Sequence, residues 1–212
     1  MSININSIGM EKGSQYETII TTISPDGSKN AAPIGTIAYS ENELMMRIFT
    51  TSHTAQNIIK NREFISNITS NPKIFTLSTI ANLPEEYFTD EDIPVLKDCD
   101  GYLKCKVKRL KEAREKNDPV NSDGKSIVIK AEVCEIVKNK ECPQIVNRGL
   151  YMLIESLVNY TRIDMVDDNL KEYYIDRFYE DKRVIKKVGT EMDKESIDIL
   201  EKELKDKGYE IK

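Results

Sequence analysis

Four hydroxyl side chains crowd the place where a strand pattern gives way to a helix pattern. The segment RIFTTSHTAQNII, residues 47–59, carries them as Thr50, Thr51, Ser52 and Thr54. The first turn of a helix leaves backbone N–H groups without partners and is the positive end of the helix dipole, so it can bind an anion. A cap needs only one hydroxyl. Two interpretations stay open: an anion site, or a Ser52 or Thr54 cap beside strand-end threonines.

Arg47 opens the same segment and adds a positive charge. On a strand it alternates with Met46 and Ile48, so its side chain points away from the face that those two residues pack. Its guanidinium fork could then meet a phosphate held near Thr50. The alternative is a solvated arginine at the rim of a sheet.

A second unusual segment, NAAPIGT, covers Asn30–Thr36. It combines small side chains with a proline that cannot donate to a β-ladder and a glycine where most strands carry bulk. Ala31, Ala32 and Gly35 would leave a flat depression that suits a planar ring held by main-chain groups. An edge strand with a bulge at Pro33 is an equal alternative. Together the two segments suggest one ligand with a flat end and an anionic end.

The common nucleotide-binding and nucleophile motifs are absent from the sequence. It contains no G-x-x-x-x-G-K-S/T, no G-x-G-x-x-G and no G-x-S-x-G. The spacing of Cys99, Cys105, Cys134 and Cys142 matches no metal pair, and His53 is the only histidine, so we expect free thiols and no metal site. A phosphate site would have to use hydroxyls, one arginine and a helix start.

Composition narrows the class of protein. The 212 residues suit one domain with a small subdomain, and the net charge of -5, from 31 basic and 36 acidic residues, argues against a nucleic-acid partner. No apolar run approaches the roughly 20 residues of a membrane span, and the N-terminus lacks the pattern of a signal peptide. We therefore expect a cytoplasmic protein without a membrane partner.

The pattern changes from strands to helices near Cys142, which predicts an α+β fold with a mainly β core. Residues 1–141 form the barrel-like domain, with one early helix at TAQNIIKNR, a hairpin turn at Pro25–Gly27, and external loops at NLPEEYFTDEDIP and REKNDPVNSDG. Residues 142–212 form a helical subdomain. The predicted strands are YETIITTIS, NAAPIGTIAY, ELMMRIFT, EFISNITS, GYLKCKVKRLKEA and KSIVIKAEVCEIV.

The first C-terminal helix is expected to be a core helix with one broad apolar face. A polar line also crosses it, because Arg148, Glu155 and Arg162 lie seven residues apart. That line is either an ion-paired seam or a ligand contact. The two later helices are predicted to be amphipathic, with one apolar face packed on the protein and charged residues in solvent. The apolar face of the first helix comprises Val146, Leu150, Leu153, Ile154, Leu157 and Val158.

The order of these segments resembles a known family. NAAPIGT, a polar strand end, SHT followed by QNI, and EFISNITSNP are similar to the FMN-binding split-barrel superfamily of flavin-reductase-like proteins, and more narrowly to a mainly archaeal domain-of-unknown-function family, number 447. Arg148, Glu155 and Arg162 also resemble that family's C-terminal signature. Thr51 departs from the pattern, which has glycine before Ser52 and His53.

The resemblance implies an FMN-binding split β-barrel with a C-terminal helical subdomain, assembled as a homodimer with FMN near the subunit interface. By that similarity, His53 orients the loop or touches the phosphate. The residues implied at the phosphate are Arg47, Thr50, Thr51, Ser52, Thr54 and Asn57, and those along the flavin ring are Ala32, Pro33, Ile34, Gly35 and Thr36. Asn57, one turn into the helix, could instead merely face the strand that carries these ring residues.

Three functional hypotheses follow from the resemblance. The first is an FMN-dependent oxidoreductase that passes a hydride or electrons from a donor, such as a nicotinamide or a deazaflavin, to an acceptor. The second is a flavin-binding carrier or sensor without turnover. The third is a structural dimer with an empty pocket.

Overall fold

A computed structural model of the chain describes residues 3–113 and 125–211. The predicted loop REKNDPVNSDG lies outside the described residues. The chain forms two compact units, Met1–Val146 and Asn147–Lys212. No helix within the described ranges is both long enough and apolar enough to cross a membrane.

The first unit is a closed antiparallel barrel of six strands, joined in the order β1-β2-β3-β6-β5-β4. The predicted α+β class with a mainly β core is thereby confirmed. Short 3-10 turns lie at Ile5–Ile8 and Glu85–Tyr87. The strands are β1 Gln15–Ile23, β2 Lys29–Ser40, β3 Glu43–Phe49, β4 Glu63–Ile68, β5 Gly101–Ala113 and β6 Ser126–Lys138.

The β1–β2 hairpin shows how local residues set the register. Ser24 N–H donates to the Ser28 carbonyl, and the Asp26 carboxylate accepts bonds from the N–H and hydroxyl of Ser28. Gly27 adopts a φ of 83°, which costs a glycine little. The turn predicted at Pro25–Gly27 is confirmed, and it fixes the pairing of Ile23 with Lys29.

Two α-helices accompany the barrel, and the sequence patterns predicted only one of them. Helix α1, His53–Asn61, buries Ala55 and Ile58 in the barrel core. Helix α2, Pro72–Ile80, was missed because PKIFTLSTI has no clear apolar stripe. The signal that it did carry is its start, since Asn71 caps the helix and Pro72 occupies the first turn.

The predicted external loop NLPEEYFTDEDIP lies outside the barrel, but it is packed there rather than free. Leu83 and Phe88 form a second apolar cluster with Ile19, on the outer surface of the strands. The Thr21 hydroxyl donates to the Pro94 carbonyl at the loop's far end. The loop is therefore part of the rigid structure around the barrel.

The second unit contains three α-helices, as predicted: α3 Arg148–Tyr160, α4 Asp168–Val188 and α5 Glu191–Asp206. A 3-10 turn at Ile163–Met165 links α3 to α4. The core of this unit is an apolar cluster shared by the three helices and that turn, comprising Leu153, Ile163, Phe178, Ile185, Ile197, Leu200 and Leu204.

The broad core face predicted for α3 is wrong. Leu150, Ile154 and Leu157 are 49%, 48% and 43% exposed, and only Leu153 is buried. Val146 precedes the helix. The buried side of α3 consists instead of small or polar residues with Leu153, because an added Cβ at Gly149 would lie 2.7 Å from the Gly189 Cα and only a small residue permits that approach.

The predicted line of Arg148, Glu155 and Arg162 is not one helical row. All three side chains are exposed, and Arg162 lies beyond the last residue of α3. The choice between an ion-paired seam and a ligand contact stays open for them.

Asp181 on α4 is a fully buried carboxylate in the helical unit. One of its oxygens accepts a bond from the Ser156 hydroxyl at 3.0 Å, and the other lies 3.2 Å from Arg177 Nε but accepts no hydrogen bond. Burial raises the pKa of Asp181 despite the bond from Ser156 and the charge of Arg177. The folded unit therefore favours the protonated acid.

We predict that Asp181→Asn raises the stability of the helical unit at neutral pH. The folded state holds a proton that the unfolded chain has already released, so stability falls as pH rises between the usual and the raised pKa of Asp181. Asparagine carries a neutral amide that does not titrate, so the variant should lose this pH dependence of stability. Urea unfolding at about pH 5 and pH 7.5, followed by helical circular dichroism, measures both effects.

Asp193→Asn provides the control, because Asp193 is also buried but accepts bonds from the N–H and hydroxyl of Thr190. It should bring no gain. An Asp181→Asn variant that is less stable than wild type at both pH values would contradict the prediction.

Candidate functional site

The strand order of the barrel is closed, but the ladder between β2 and β3 is incomplete. β2 pairs with β1 from Lys29 to Ile37, but it pairs with β3 only from Thr36 to Ser40. Residues Lys29–Gly35 therefore have one edge outside the β2–β3 ladder. We call the opening between this free edge and the end of β3, Arg47–Phe49, the split.

The alternative of an edge strand with a bulge at Pro33 is correct for the edge and wrong for the bulge. β2 has a neighbour on both sides in the strand order, but Pro33 lies in the part that β3 does not reach; it pairs regularly with Ile19, and the register shift lies further on, between Ala38 and Ser40. The Ala38 N–H faces β1 through its bond to the Ser14 carbonyl, so the odd-numbered residues 31, 33 and 35 turn their N–H positions to the free edge. Pro33 therefore removes no ladder bond.

Asn82 occupies the beginning of the free edge. Its side-chain oxygen accepts the Ala31 N–H at 3.0 Å, and its nitrogen donates to the Lys29 carbonyl at 2.6 Å. The Lys29 ammonium lies 3.0 Å from Glu85 and 3.3 Å from Asp90, and the hydrogen bond with Glu85 is the main cause that raises the pKa of Lys29. The loop after α2 is thus fastened to the start of β2.

The predicted ring segment is only partly open. Ala32, Pro33, Ile34 and Gly35 are half-buried, whereas Thr36 is fully buried, with its hydroxyl 2.9 Å from the Thr18 hydroxyl inside the barrel. A Cβ added at Gly35 would lie 2.2 Å from Gln15 Nε2, so the flexible Gln15 side chain lies over the glycine. By the same alternation the main-chain N–H and C=O of Thr36 face β1, so no polar group of Thr36 points into the split.

Arg47 leans toward the end of β3. Met46 and Ile48 are buried, and Arg47 is half-buried on the opposite face, as its alternation with them predicts. Arg47 Nε donates to the Ser126 hydroxyl at 2.8 Å, and Ser126 pairs with Phe49 rather than with Arg47. The side chain therefore runs along the strand toward Thr50.

The hydroxyls at the start of α1 have different partners. Ser52 is the cap: its oxygen accepts the Ala55 N–H at 3.2 Å and donates to the Phe49 carbonyl at 2.8 Å. The Thr50 hydroxyl donates to the Lys125 carbonyl at 2.9 Å. Thr51 and His53 are exposed. The capping interpretation is correct for Ser52, and the other hydroxyls are not all left for a ligand.

The first turn of α1 still keeps free donors. Its first hydrogen bonds run from Ala55 N–H and Gln56 N–H to Ser52, so the N–H groups of His53 and Thr54 have no acceptor in the described part of the chain. Such groups and the helix dipole favour an anion. Arg47 is half-buried and lies on the strand that leads into this turn, so it brings a positive charge to the same segment.

Two asparagines connect these parts. Asn30, at the free edge, donates to the hydroxyl of the buried Thr54 at 3.0 Å, which joins the two segments singled out in the sequence. Asn57 is buried and donates to the Thr22 and Ser24 hydroxyls at 3.0 and 3.2 Å. Asn57 therefore faces β1 and its turn, not the small-residue strand β2 that its alternative interpretation named, and it anchors the β1–β2 hairpin.

Sequence reasoning missed Asn30, Asn82, Ser126 and Gln15 as parts of the site. Each acts through a partner distant in sequence, as in the bond between Ser126 and Arg47. No motif or local spacing marks such a residue. The one available signal was the polar Asn30 at the head of the small-residue strand.

Comparisons with known proteins agree with this architecture. The family model described as "Protein of unknown function (DUF447) N-terminal domain" matches residues 16–139, and the model "Protein of unknown function (DUF447)" matches residues 147–202. A protein of Methanocaldococcus jannaschii, described as uncharacterized, is 25% identical over 189 residues, which cover 86% of this chain and 94% of that protein.

A solved structure is similar over nearly the whole chain. It is the crystal structure of an FMN-bound protein from Methanosarcina mazei, described with the same family, at 25% identity and a TM-score of 0.54. The similarity covers 94% of this chain and 99% of that one. The barrel and the helical unit therefore occur together in a relative that binds FMN.

Proposed function

The chain belongs to the DUF447 family, and from that membership we propose that it is a cytoplasmic flavoprotein that binds FMN in the split of its barrel. The observation that carries this proposal is the pairing of a free strand edge with a helix start that retains unpartnered donors. The FMN-bound relative from Methanosarcina mazei supports the choice of ligand.

The anionic end of FMN fits the start of α1. The N–H groups of His53 and Thr54 have no acceptor among the described residues, and the Arg47 side chain is bonded to Ser126, which pairs with Phe49 at the end of the strand before this turn. Ser52 and the exposed Thr51 add hydroxyls at the same turn. Charge-assisted bonds from such donors are stronger than neutral ones, so they would hold a phosphate without a glycine-rich loop.

The planar end fits the free edge of β2. Main-chain groups of Pro33 and Gly35 face the split, and Gly35 places no side chain between the strand and a ring. Gln15, which lies over Gly35, would have to move aside or bind the ring with its amide.

We further propose that the protein is an oxidoreductase whose donor is a nicotinamide or a reduced deazaflavin. Bound FMN would supply hydride or electron transfer, while the chain binds it, orients it and limits its exposure to water. Turnover then needs no catalytic acid from the protein. A carrier or sensor without turnover is the competing outcome of the experiment below.

We predict that Arg47→Ala weakens FMN binding by about ten- to a hundredfold, since a hydrogen bond to a charged group contributes roughly 1.5 to 3 kcal/mol. Riboflavin lacks the phosphate and should bind wild type and variant equally. Arg109→Ala, an exposed arginine on β5, is the matched control and should leave both affinities unchanged. Fluorescence titration gives the values, and a variant with wild-type FMN affinity would remove Arg47 from the site.

The donor experiment tests turnover. FMN-loaded protein is mixed anaerobically with NADH, NADPH or reduced deazaflavin while flavin absorbance is followed. An oxidoreductase should be bleached by one donor with saturation kinetics. Bound FMN that no donor bleaches, and that passes electrons to no soluble acceptor after photoreduction, would favour the carrier or sensor.

We also propose a homodimer in which a second copy covers the exposed side of α3. Leu150, Ile154 and Leu157 follow the spacing of a heptad seam, which packs against another helix. A two-fold copy presents the same seam, so the surface is self-complementary. Exposed apolar stripes of this kind mark association surfaces more often than they remain in water.

We predict that Ile154→Glu raises the dimer dissociation constant about tenfold or more, because a charge would be buried in the seam. Ile199→Glu on α5 is the control, since Ile199 is 71% exposed and lies on another helix. Sedimentation velocity over a concentration series measures both variants. Mixing Ile154→Glu with Ile154→Lys should restore association, and a wild type that stays monomeric would refute the dimer.

A further inference from the structure

The carboxamide of Asn82 acts as a short substitute for β3 at the split. It makes one accepted and one donated bond, 3.0 and 2.6 Å long, with the main chain of Ala31 and Lys29. A neighbouring strand would satisfy the same pair of groups in an antiparallel ladder. Asn82 therefore occupies the first two main-chain groups of the free edge, the Lys29 carbonyl and the Ala31 N–H.

What remains of the free edge is short and chemically specific. By the alternation of a strand, the carbonyls of Ala31 and Pro33 and the N–H of Gly35 lie on this edge. Pro33 itself has no N–H to offer. An acceptor at Pro33 followed by a donor at Gly35 matches a ring edge that carries an N–H beside a C=O, as the pyrimidine part of a flavin does.

Other residues of the loop that follows Asn82 fix its position. Glu85 and Asp90 pair with the Lys29 ammonium, and Leu83 and Phe88 are buried in the outer apolar cluster. Asn30, between the two groups that Asn82 binds, donates to Thr54 in the first turn of α1. The position of Asn82 is therefore linked both to the free edge and to the helix start.

We infer that Asn82 is a positioning residue for the flavin ring, a role that rests on the proposed FMN site. By occupying the Lys29 carbonyl and the Ala31 N–H, it leaves the Gly35 N–H as the remaining main-chain donor of the free edge, next to the Pro33 carbonyl. It holds β2 in the conformation that the ring binds. Asn82 contacts β2 and would affect the flavin only through the conformation of that strand.

The test compares Asn82→Ala with Asn71→Ala. Asn71 caps α2 through the Lys73 N–H at 3.0 Å and donates to Asp98 at 2.8 Å, so its loss lowers stability without removing a bond to the free edge. Asn82→Ala should weaken FMN and riboflavin equally, by about three- to tenfold for one net hydrogen bond, and should change the absorption spectrum of the bound flavin. Asn71→Ala should lower the thermal midpoint and leave both affinities and the spectrum unchanged.

Asn82→Asp separates the two bonds. It keeps an acceptor for the Ala31 N–H but sets a carboxylate oxygen against the Lys29 carbonyl, which is itself an acceptor, so its affinities should fall at least as far as those of Asn82→Ala. If Asn82→Ala binds both flavins with wild-type affinity and spectrum, the positioning role is refuted. A wild type that binds neither flavin overturns the proposed function instead.

Discussion

The constraint on which the site depends is the main-chain hydrogen bonding of β2. A barrel gains stability by pairing every strand edge, yet the first half of β2 is left outside the ladder with β3. The molecule manages this edge in two ways. Asn82 takes the first acceptor and donor, and Pro33 removes a donor that would otherwise lack a partner. The part of the edge that remains open is therefore a small, defined surface rather than a general template for aggregation.

Most hydroxyls at the start of α1 have structural partners within the chain. Ser52 caps the helix, Thr50 ties the turn to Lys125, and Thr54 is buried against Asn30. These bonds fix the turn, and the N–H groups of His53 and Thr54 keep no acceptor among the described residues. In the FMN site proposed above, the hydroxyls would therefore act mainly by shaping the turn. A preorganised group of backbone donors can do what a glycine-rich loop does elsewhere.

In the helical unit, close approach between helices decides which side of α3 is buried. α3 turns small and polar residues toward its neighbours, because Gly149 permits close approach to Gly189 and Ser156 supplies a partner for Asp181. Its larger apolar residues are left on the opposite side. A buried carboxylate is costly without full hydrogen bonding, so Asp181 marks a place where the unit gives up stability. Because α3 buries its small and polar side, its larger apolar residues are exposed and Asp181 is packed against Ser156 in the interior.

The sequence by itself determined the strands, the hairpin turn, α1, the three C-terminal helices and the two segments that meet at the split, because these follow from alternation, turn residues and capping over short distances. It also determined the direction of Arg47 on β3, since strand alternation fixes it. Tertiary structure alone decided that Thr36 faces the barrel interior and that Asn57 holds a hairpin. It likewise decided which side of α3 is buried, because helix packing depends on close approach as well as on apolar area. The roles of Asn82 and Ser126 come from contacts made only when distant segments fold together, and no local pattern in one chain records them.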